Sequence, residues 1–208
     1  MAPATRRRLS PEERQRRLLE LGLELFGEAA YDQISTDEIA ERGGVSRGLL
    51  FHYFGNKRGF YVAVIREAAD RLLERSKAAG QADVGTAEDP ERAQLDVFLR
   101  FVEDNAGLFT VLMQGGVGVD AEVKSLVDQT RQVLARRVAP RLDAESLTGS
   151  GPDLGERFAL TAWIGAVEAA AVEWADHRRR GLPTLERREL AGLLLGMVPT
   201  SIRSPTKV

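Results

Sequence analysis

The chain has 208 residues, a formal net charge of −2, 43% hydrophobic and 29% charged residues, and no cysteine. This length suits one domain, or a small domain fused to a larger one, with a core that needs no disulfides. A sequence without cysteine excludes thiolate metal sites and cysteine nucleophiles, and its two distant histidines form no metal-binding motif. No apolar run approaches the roughly 18 residues that span a bilayer, and no signal-peptide pattern is present. We therefore expect a cytoplasmic protein without a metal, a cofactor or a membrane span.

Charge is segregated along the first third of the chain. Residues 1–17 sum to +4, residues 18–41 to −7 and residues 42–60 to +4. The negative net charge argues weakly against a nucleic-acid partner, but the two basic segments favour one, because phosphate attraction depends on the surface that faces the DNA. The alternative is that these arginine-rich segments only keep the protein soluble.

Apolar residues recur at spacings of three and four, which predicts an all-α chain. Capping boxes at Ser10–Glu13 and Ser35–Glu38 mark the starts of the first two helices. The second helix ends at Gly43-Gly44, and the third begins after Ser46 and ends at Gly55-Asn56.

A longer helix is predicted at about 57–79, and further helices at about 91–106, 108–114, 120–138, 154–178 and 184–198. The glycines of 115–118 follow no predicted strand, so they do not indicate a phosphate-binding loop. A second loop is predicted at 147–152.

The two short helices of residues 35–54 have the length and turn chemistry of a helix-turn-helix. Such a turn needs glycine because the first helix must end in a left-handed residue, and Val45 then fills the angle between the helices. The second helix presents its N-terminal residues to the major groove while the first crosses the backbone. The alternative is an ordinary helical hairpin with a basic end; the acid-free stretch over the second helix counts against it.

Residues of this second helix outside its Leu50 and Phe54 core positions suit DNA contact. Arginine donates two hydrogen bonds to guanine, and glycine lets the helix approach the DNA closely. Leucine contacts a thymine methyl, and tyrosine or lysine binds phosphates. The predicted contacts here are Arg47, Gly48, Leu49, His52, Tyr53 and Lys57. The hydroxyl residues Ser35, Thr36 and Ser46 at the helix starts, and a flexible arm of Arg6, Arg7 and Arg8, complete the predicted DNA-binding set.

Residues 9–60 resemble the DNA-binding domain of the TetR family of bacterial transcriptional repressors. The matching stretches are Leu25-Phe26, residues 39–46, residues 48–54 and Asn56-Lys57. The resemblance covers about a quarter of the chain, and the remainder matches in length and helical character. It implies an N-terminal three-helix domain (1–58) joined by a linking helix to a larger helical domain (59–208) that binds a ligand and dimerises.

Three residues depart from the family's pattern. Ala30 stands where glycine is usual after the first helix, so either Ala30 adopts a positive φ at a cost of about 1 kcal/mol or the turn differs. Leu49 replaces a smaller residue, and Phe51 replaces a tyrosine whose hydroxyl would contact DNA. The last two departures concern which operator is read.

The resemblance implies a homodimer through residues of about 154–198. The segment 158–175 is apolar nearly all round and rich in alanine, and Leu190, Leu193, Leu194 and Met197 follow at helical spacing. The alternative is a core within one chain.

The predicted ligand pocket rests on aromatic, methionine and isolated polar residues of the second domain. The same residue types at helical spacing also build ordinary cores. Glu168 lies in an apolar helix and needs a partner, which a cationic ligand, Arg131 or a residue across the dimer would supply. The predicted set is Phe98, Phe101, Asn105, Phe109, Met113, Trp163, Glu168 and Trp174.

The function that these features indicate is a DNA-binding transcriptional regulator, most simply a repressor of a pseudo-palindromic double-stranded operator that a small molecule releases. The alternatives are a helical adaptor or a small enzyme acting without DNA. No nucleophile–base pairing supports catalysis. We expect the 57–79 helix to transmit the ligand signal as the only long element that contacts both domains, with Gly59 adjusting its first turn.

Overall fold

The computed structural model describes residues 10–81, 90–113, 120–138 and 154–198, and this part of the chain forms nine helices. The predicted all-α fold is confirmed, and helix ends differ from the predicted ones by at most about three residues. The arm of Arg6 to Arg8 and the glycines of 115–118 lie outside the described residues, as does the loop at 147–152. The helices are α1 (Pro11–Glu28), α2 (Thr36–Arg42), α3 (Arg47–Phe54), α4 (Lys57–Gln81), α5 (Pro90–Asp104), α6 (Ala106–Val111), α7 (Ala121–Val138), α8 (Leu154–Arg179) and α9 (Arg187–Gly196).

Side-chain caps fix the starts of the first helices. The Ser10 hydroxyl accepts a hydrogen bond from the Glu13 N–H at 3.1 Å, and the Glu13 carboxylate accepts one from the Ser10 N–H at 2.8 Å. Of the box predicted at α2, the structure shows the Ser35 half, whose hydroxyl accepts from the Glu38 N–H at 3.0 Å. These caps satisfy backbone donors that the first helical turn leaves unpaired.

The turn after α1 avoids the strain that glycine usually relieves there. Ala29 ends the helix with an extended backbone, at φ −147° and ψ 158°, and Ala30 has no positive φ. The Gln33 N–H then donates to the Ala30 carbonyl at 3.0 Å, which closes a tight turn. Of the two alternatives for Ala30, the structure therefore shows the different turn.

The first four helices share one core. Leu18, Phe26, Leu50 and Phe60 are buried there, and α4 crosses α1 so closely that a Cβ on Gly22 would lie 2.2 Å from a Val64 methyl. Beyond this crossing α4 continues against α5 and α7, where Ile65, Ala68 and Leu72 are buried in the same continuous hydrophobic cluster.

The expectation that α4 is the only long element in contact with both domains is wrong. Helix α1 packs against α6, and a Cβ on Gly107 would lie 2.1 Å from the Gly27 carbonyl oxygen, so the two backbones touch. Helix α4 itself makes a further contact, because the guanidinium of Arg58 in its first turn donates two hydrogen bonds to Asp120, at 2.6 and 2.9 Å, just before α7. Both contacts join residues far apart in sequence.

Helix α8 is an exception to the expectation that no segment of the chain is long and apolar enough to span a bilayer. By length and composition alone, its residues 157–179 are apolar enough to cross a bilayer, although only 33% of the most apolar window is buried. Leu160, Trp163, Val167 and Ala171 form a buried stripe. The opposite face of α8 carries mostly small residues and is open, so a helix with one core face and one unpartnered apolar face accounts for this composition.

Candidate nucleic-acid interface and ligand cavity

The turn between α2 and α3 has the backbone that the glycine pair predicts. Gly44 is left-handed, with φ +61°. The Val45 N–H donates to the Ala40 carbonyl and the Gly44 N–H to the Glu41 carbonyl, both at 3.0 Å. This pair of bonds closes α2 as a Schellman motif. Val45 is half-buried against the core and so holds the angle between the two helices.

One side of α3 is buried and the other faces outwards. Leu50 is fully buried, and the ring of Phe54 contacts that of Phe60 with centroids 5.0 Å apart. Arg47, Gly48 and His52 are exposed. Leu49 and Tyr53 are half-buried, and the capping residues Ser35 and Ser46 are exposed beside a half-buried Thr36. The predicted DNA contacts that the structure describes thus surround the outer face of α3.

The end of α3 is fixed on the start of α4 by close backbone contact. The Asn56 side-chain oxygen accepts from the Gly59 N–H at 2.8 Å, which caps α4. A Cβ on Gly59 would lie 2.1 Å from the Phe54 carbonyl oxygen. Gly59 is therefore required for this contact, a structural role distinct from the flexibility expected for it, and α3 is held firmly on α4.

The basic segment 42–60 is less available to phosphates than its charge sum of +4 suggests. Each of its four basic side chains contacts an acidic or aromatic group that lies elsewhere in the sequence. The contacts are Arg42 with Glu28 (2.6 Å), Arg47 with Asp37 (3.1 Å), Arg58 with Asp120 (2.6 Å) and Lys57 over the ring of Tyr31 (4.4 Å). The contacts of Arg42, Arg47 and Lys57 are at least partly solvent-exposed, so DNA phosphates replace them at low cost.

Arg58 differs from the other three cations because two acidic groups hold it. Besides Asp120, it donates to the Glu122 carboxylate at 3.1 Å. The hydrogen bond from Arg58 lowers the pKa of Asp120 below its usual value. Arg58 therefore ties α4 to α7 rather than forming part of the free basic surface.

Two adjoining apolar lobes lie inside the second domain. The first lobe is lined by α5, α7 and α8 and has a cavity volume of about 60 Å³, and the second, lined mainly by α4 to α7, has about 70 Å³. The side chains that line both lobes are Phe98, Arg131, Leu134 and Glu168.

Six of the eight predicted pocket residues line these lobes. They are Phe98, Phe101, Phe109, Met113, Trp163 and Glu168. The other two lie elsewhere: the Asn105 side chain donates to the Phe101 carbonyl at 2.9 Å, and the Trp174 indole donates to the Leu185 carbonyl at 2.8 Å. The role of the six in ligand binding stays a prediction.

Sequence reasoning did not single out Gln94, Leu134 or Val167, which also line the first lobe. Leu134 and Val167 have the same spacing as ordinary core residues, so no sequence pattern separates the two roles.

Glu168 has a partner within the chain. The Arg131 guanidinium donates to both Glu168 carboxylate oxygens, at 2.6 and 2.9 Å, and to Asp128 at 3.1 Å. Burial disfavours the Arg131 cation, but the hydrogen bonds and negative charges of Glu168 and Asp128 together outweigh that effect and raise the pKa of Arg131. Of the partners considered for Glu168, the structure shows Arg131.

Two family models match the chain in consecutive parts. Residues 18–64 match "Bacterial regulatory proteins, tetR family", and residues 91–198, just over half of the chain, match "Tetracyclin repressor-like, C-terminal domain". The chain belongs to the TetR family. This membership agrees with the predicted helix-turn-helix domain at the N-terminal end of the chain. TetR-family regulators bind DNA operators, respond to small-molecule ligands and act as dimers.

Individual relatives agree with this assignment. The transcriptional activator FasR of Mycolicibacterium smegmatis is 28% identical over 58% of this chain and 54% of its own length. The repressor AcnR of Corynebacterium glutamicum is 36% identical over 39% of this chain and 45% of its own length. The matches thus span about half the length of these two relatives. A TetR-family regulator from Streptomyces coelicolor, solved by crystallography, superposes with a TM-score of 0.69 and 31% identity over 90% of this chain and 79% of that one.

Proposed function

We propose that this TetR-family protein is a cytoplasmic, homodimeric repressor that leaves its operator when a small molecule enters the lobed cavity. The observation that carries the proposal is the position of α4. Its first turn holds α3 through the Gly59–Phe54 contact, and its middle turns supply Ile65, Ala68 and Leu72 to the second lobe. One rigid element thus joins the DNA-binding face to the cavity, with residues 1–58 and 59–208 as the two domains.

The proposed DNA contacts divide into base and phosphate contacts. Arg47 directly follows the Ser46 cap, at the end of the recognition helix that reaches base edges. Its ion pair with Asp37 lies on the surface and is weak enough to be replaced by hydrogen bonds to guanine. Lys57, Tyr53 and the hydroxyls of Ser35, Thr36 and Ser46 are suited to phosphates. AcnR is named a repressor and FasR an activator, and the repressor mode is the one proposed here.

The proposed dimer forms through the unpartnered face of α8 and α9. Phe158, Leu193 and Met197 are 69%, 56% and 53% exposed, and Gly165 has open space around its Cα. Small residues between large apolar ones let two helices approach closely, as in a symmetric four-helix interface. Two recognition helices in such a dimer must lie about 34–36 Å apart to enter successive major grooves of a pseudo-palindromic operator.

Release requires only that the ligand binds the conformation that does not fit DNA more tightly. A coupling of about 1–3 kcal/mol weakens operator binding roughly 5–150-fold, and operator DNA must weaken ligand binding by the same factor. Equal ligand affinities with and without saturating operator would remove this mechanism. The contact of α1 with α6 is a further route, beside α4, by which the cavity reaches the DNA-binding domain.

The first test compares Arg47→Ala with Lys57→Ala on operator variants. Arg47→Ala is expected to cost about 1–3 kcal/mol at one base pair and to relax specificity there, whereas Lys57→Ala weakens all sequences about equally. Fluorescence anisotropy with the chain's own upstream DNA and single-base variants of it measures both. A uniform loss in both variants would contradict the division into base and phosphate contacts, and no binding by the unaltered protein would favour a helical adaptor instead.

Gly48→Ala separates a DNA-binding role from a folding role. An added Cβ would meet only the Ser46 hydroxyl, at 3.9 Å, so the fold accepts it, and alanine favours the helix by about 1 kcal/mol. If Gly48 allows α3 to approach the base edges, operator affinity nevertheless falls. Thermal unfolding and anisotropy on one sample measure the two effects. A more stable variant with unchanged operator affinity would show that close approach at Gly48 is not used.

A further inference from the structure

The charged groups of the cavity are few and already paired. Among the described side chains that line the two lobes, Arg131 and Glu168 alone are ionisable. They form a two-point ion pair at 2.6 and 2.9 Å and lie where the lobes adjoin. The walls contributed by α4, α5 and α6 carry no charge that faces a ligand.

The remaining polar side chains of the walls also have partners in the protein. Gln94 accepts a short hydrogen bond from the Ser76 hydroxyl and donates to the Ser76 carbonyl at 3.0 Å. The Thr130 hydroxyl donates to the Leu126 carbonyl at 2.8 Å. Among the described residues, no buried side-chain nitrogen or oxygen lacks a hydrogen-bond partner.

From this arrangement we infer that the cavity takes an uncharged, mainly apolar molecule with at most one or two hydrogen-bonding groups. This inference rests on the proposed function, in which the cavity is the effector site. An apolar body replaces water along the walls, and a hydroxyl or carbonyl bonds to the edge of the Arg131–Glu168 pair without separating it.

Ionised ligands are excluded by the same pair. A ligand carboxylate that binds Arg131 must displace Glu168 and leave that half-buried anion without its partner. A ligand amine that binds Glu168 leaves Arg131 without Glu168 as its partner, although Asp128 keeps one contact with Arg131. In either case one charged side chain stays buried without a group of opposite charge to stabilise it.

The test uses three probes that differ only in the head group: decanol, decanoate and decylamine. The chain has two tryptophans, and Trp163 lines the first lobe whereas Trp174 does not. In a Trp174→Phe background the fluorescence of Trp163 therefore reports occupancy of the cavity. Decanol is expected to bind at least about tenfold more tightly than either charged probe. Equal or tighter binding of decanoate or decylamine would overturn the inference, as would the absence of any response to decanol.

If the Arg131–Glu168 ion pair sets the preference for the uncharged probe, two variants are expected to reverse it. Glu168→Gln frees two donor groups of Arg131 and is expected to tighten decanoate binding at least about tenfold, and Arg131→Gln frees Glu168 and does the same for decylamine. Circular dichroism establishes that each variant is folded. Unchanged probe preferences in folded variants would show that the ion pair does not select the ligand.

Operator anisotropy with each probe separates this inference from the proposed function. If decanol binds but the operator stays bound, the ligand class stands and release by ligand fails. If a charged probe releases the operator at lower concentration than decanol, release stands and the ligand class is overturned.

Discussion

Leu193→Asp is expected to convert the proposed dimer into monomers and to lower operator affinity by at least about 100-fold. Leu193 is 56% exposed on α9, so a carboxylate there leaves the fold of one chain intact. A symmetric interface uses the same patch of both subunits, so the substitution would bury two carboxylates in an apolar contact. A monomer has one recognition helix and loses the gain of about 10²–10⁴-fold that a linked second site supplies.

Light scattering and anisotropy measure the two parts of this result. Ser125→Asp is the matched control, because it adds the same charge on an exposed position of α7. The control is expected to remain dimeric with nearly unchanged operator affinity. A Leu193→Asp protein that stays dimeric would show that α9 does not form the interface.

Phe26→Ala is expected to lower the free energy of unfolding by about 3–5 kcal/mol. Phe26 is 1% exposed, and its ring meets those of Tyr31, Phe60 and Tyr61 at centroid distances of 6.4, 5.9 and 4.8 Å. Removing it leaves a cavity between α1 and α4, and this region is too closely packed to collapse around the missing ring. Operator binding should fall as well, because α3 takes its position from this core.

Phe51→Ala is the matched control for the stability measurement. Phe51 lies on α3 and is 37% exposed, so its removal creates no enclosed cavity and should cost much less. Urea denaturation of both variants measures the difference. Equal losses would mean that the aromatic cluster around Phe26 does not dominate the stability of the DNA-binding domain.

Local chemistry in the sequence predicts the helix-turn-helix well. The Ser10 and Ser35 caps and the left-handed Gly44 depend on residues at most a few positions apart, and the structure shows all three. Leu50 is buried and His52 exposed for the same reason, since positions two residues apart lie on opposite sides of a helix.

Contacts between distant segments are what the sequence does not reveal. The sum of formal charges over residues 42–60 is +4. In the structure, however, Arg58 is paired with Asp120, 62 positions away, and Arg42 is paired with Glu28. The same limit applies to the cavity, because whether an aromatic side chain lines a lobe depends on which helices meet there. Trp174 has the residue type of a pocket wall, but it donates to a carbonyl in the turn before α9.

The backbone contact between Gly27 and Gly107 sets a compatibility rule for chimeric regulators. A chimera that joins α1–α3 of this chain to a foreign sensor domain places α1 against that domain's counterpart of α6. With 2.1 Å between a Cβ at position 107 and the Gly27 carbonyl oxygen, any side chain there pushes α1 away from the sensor. Sensor donors that carry glycine at the matching position can therefore be selected from sequence before any gene is built, and donors with larger residues there need a compensating shift of α6.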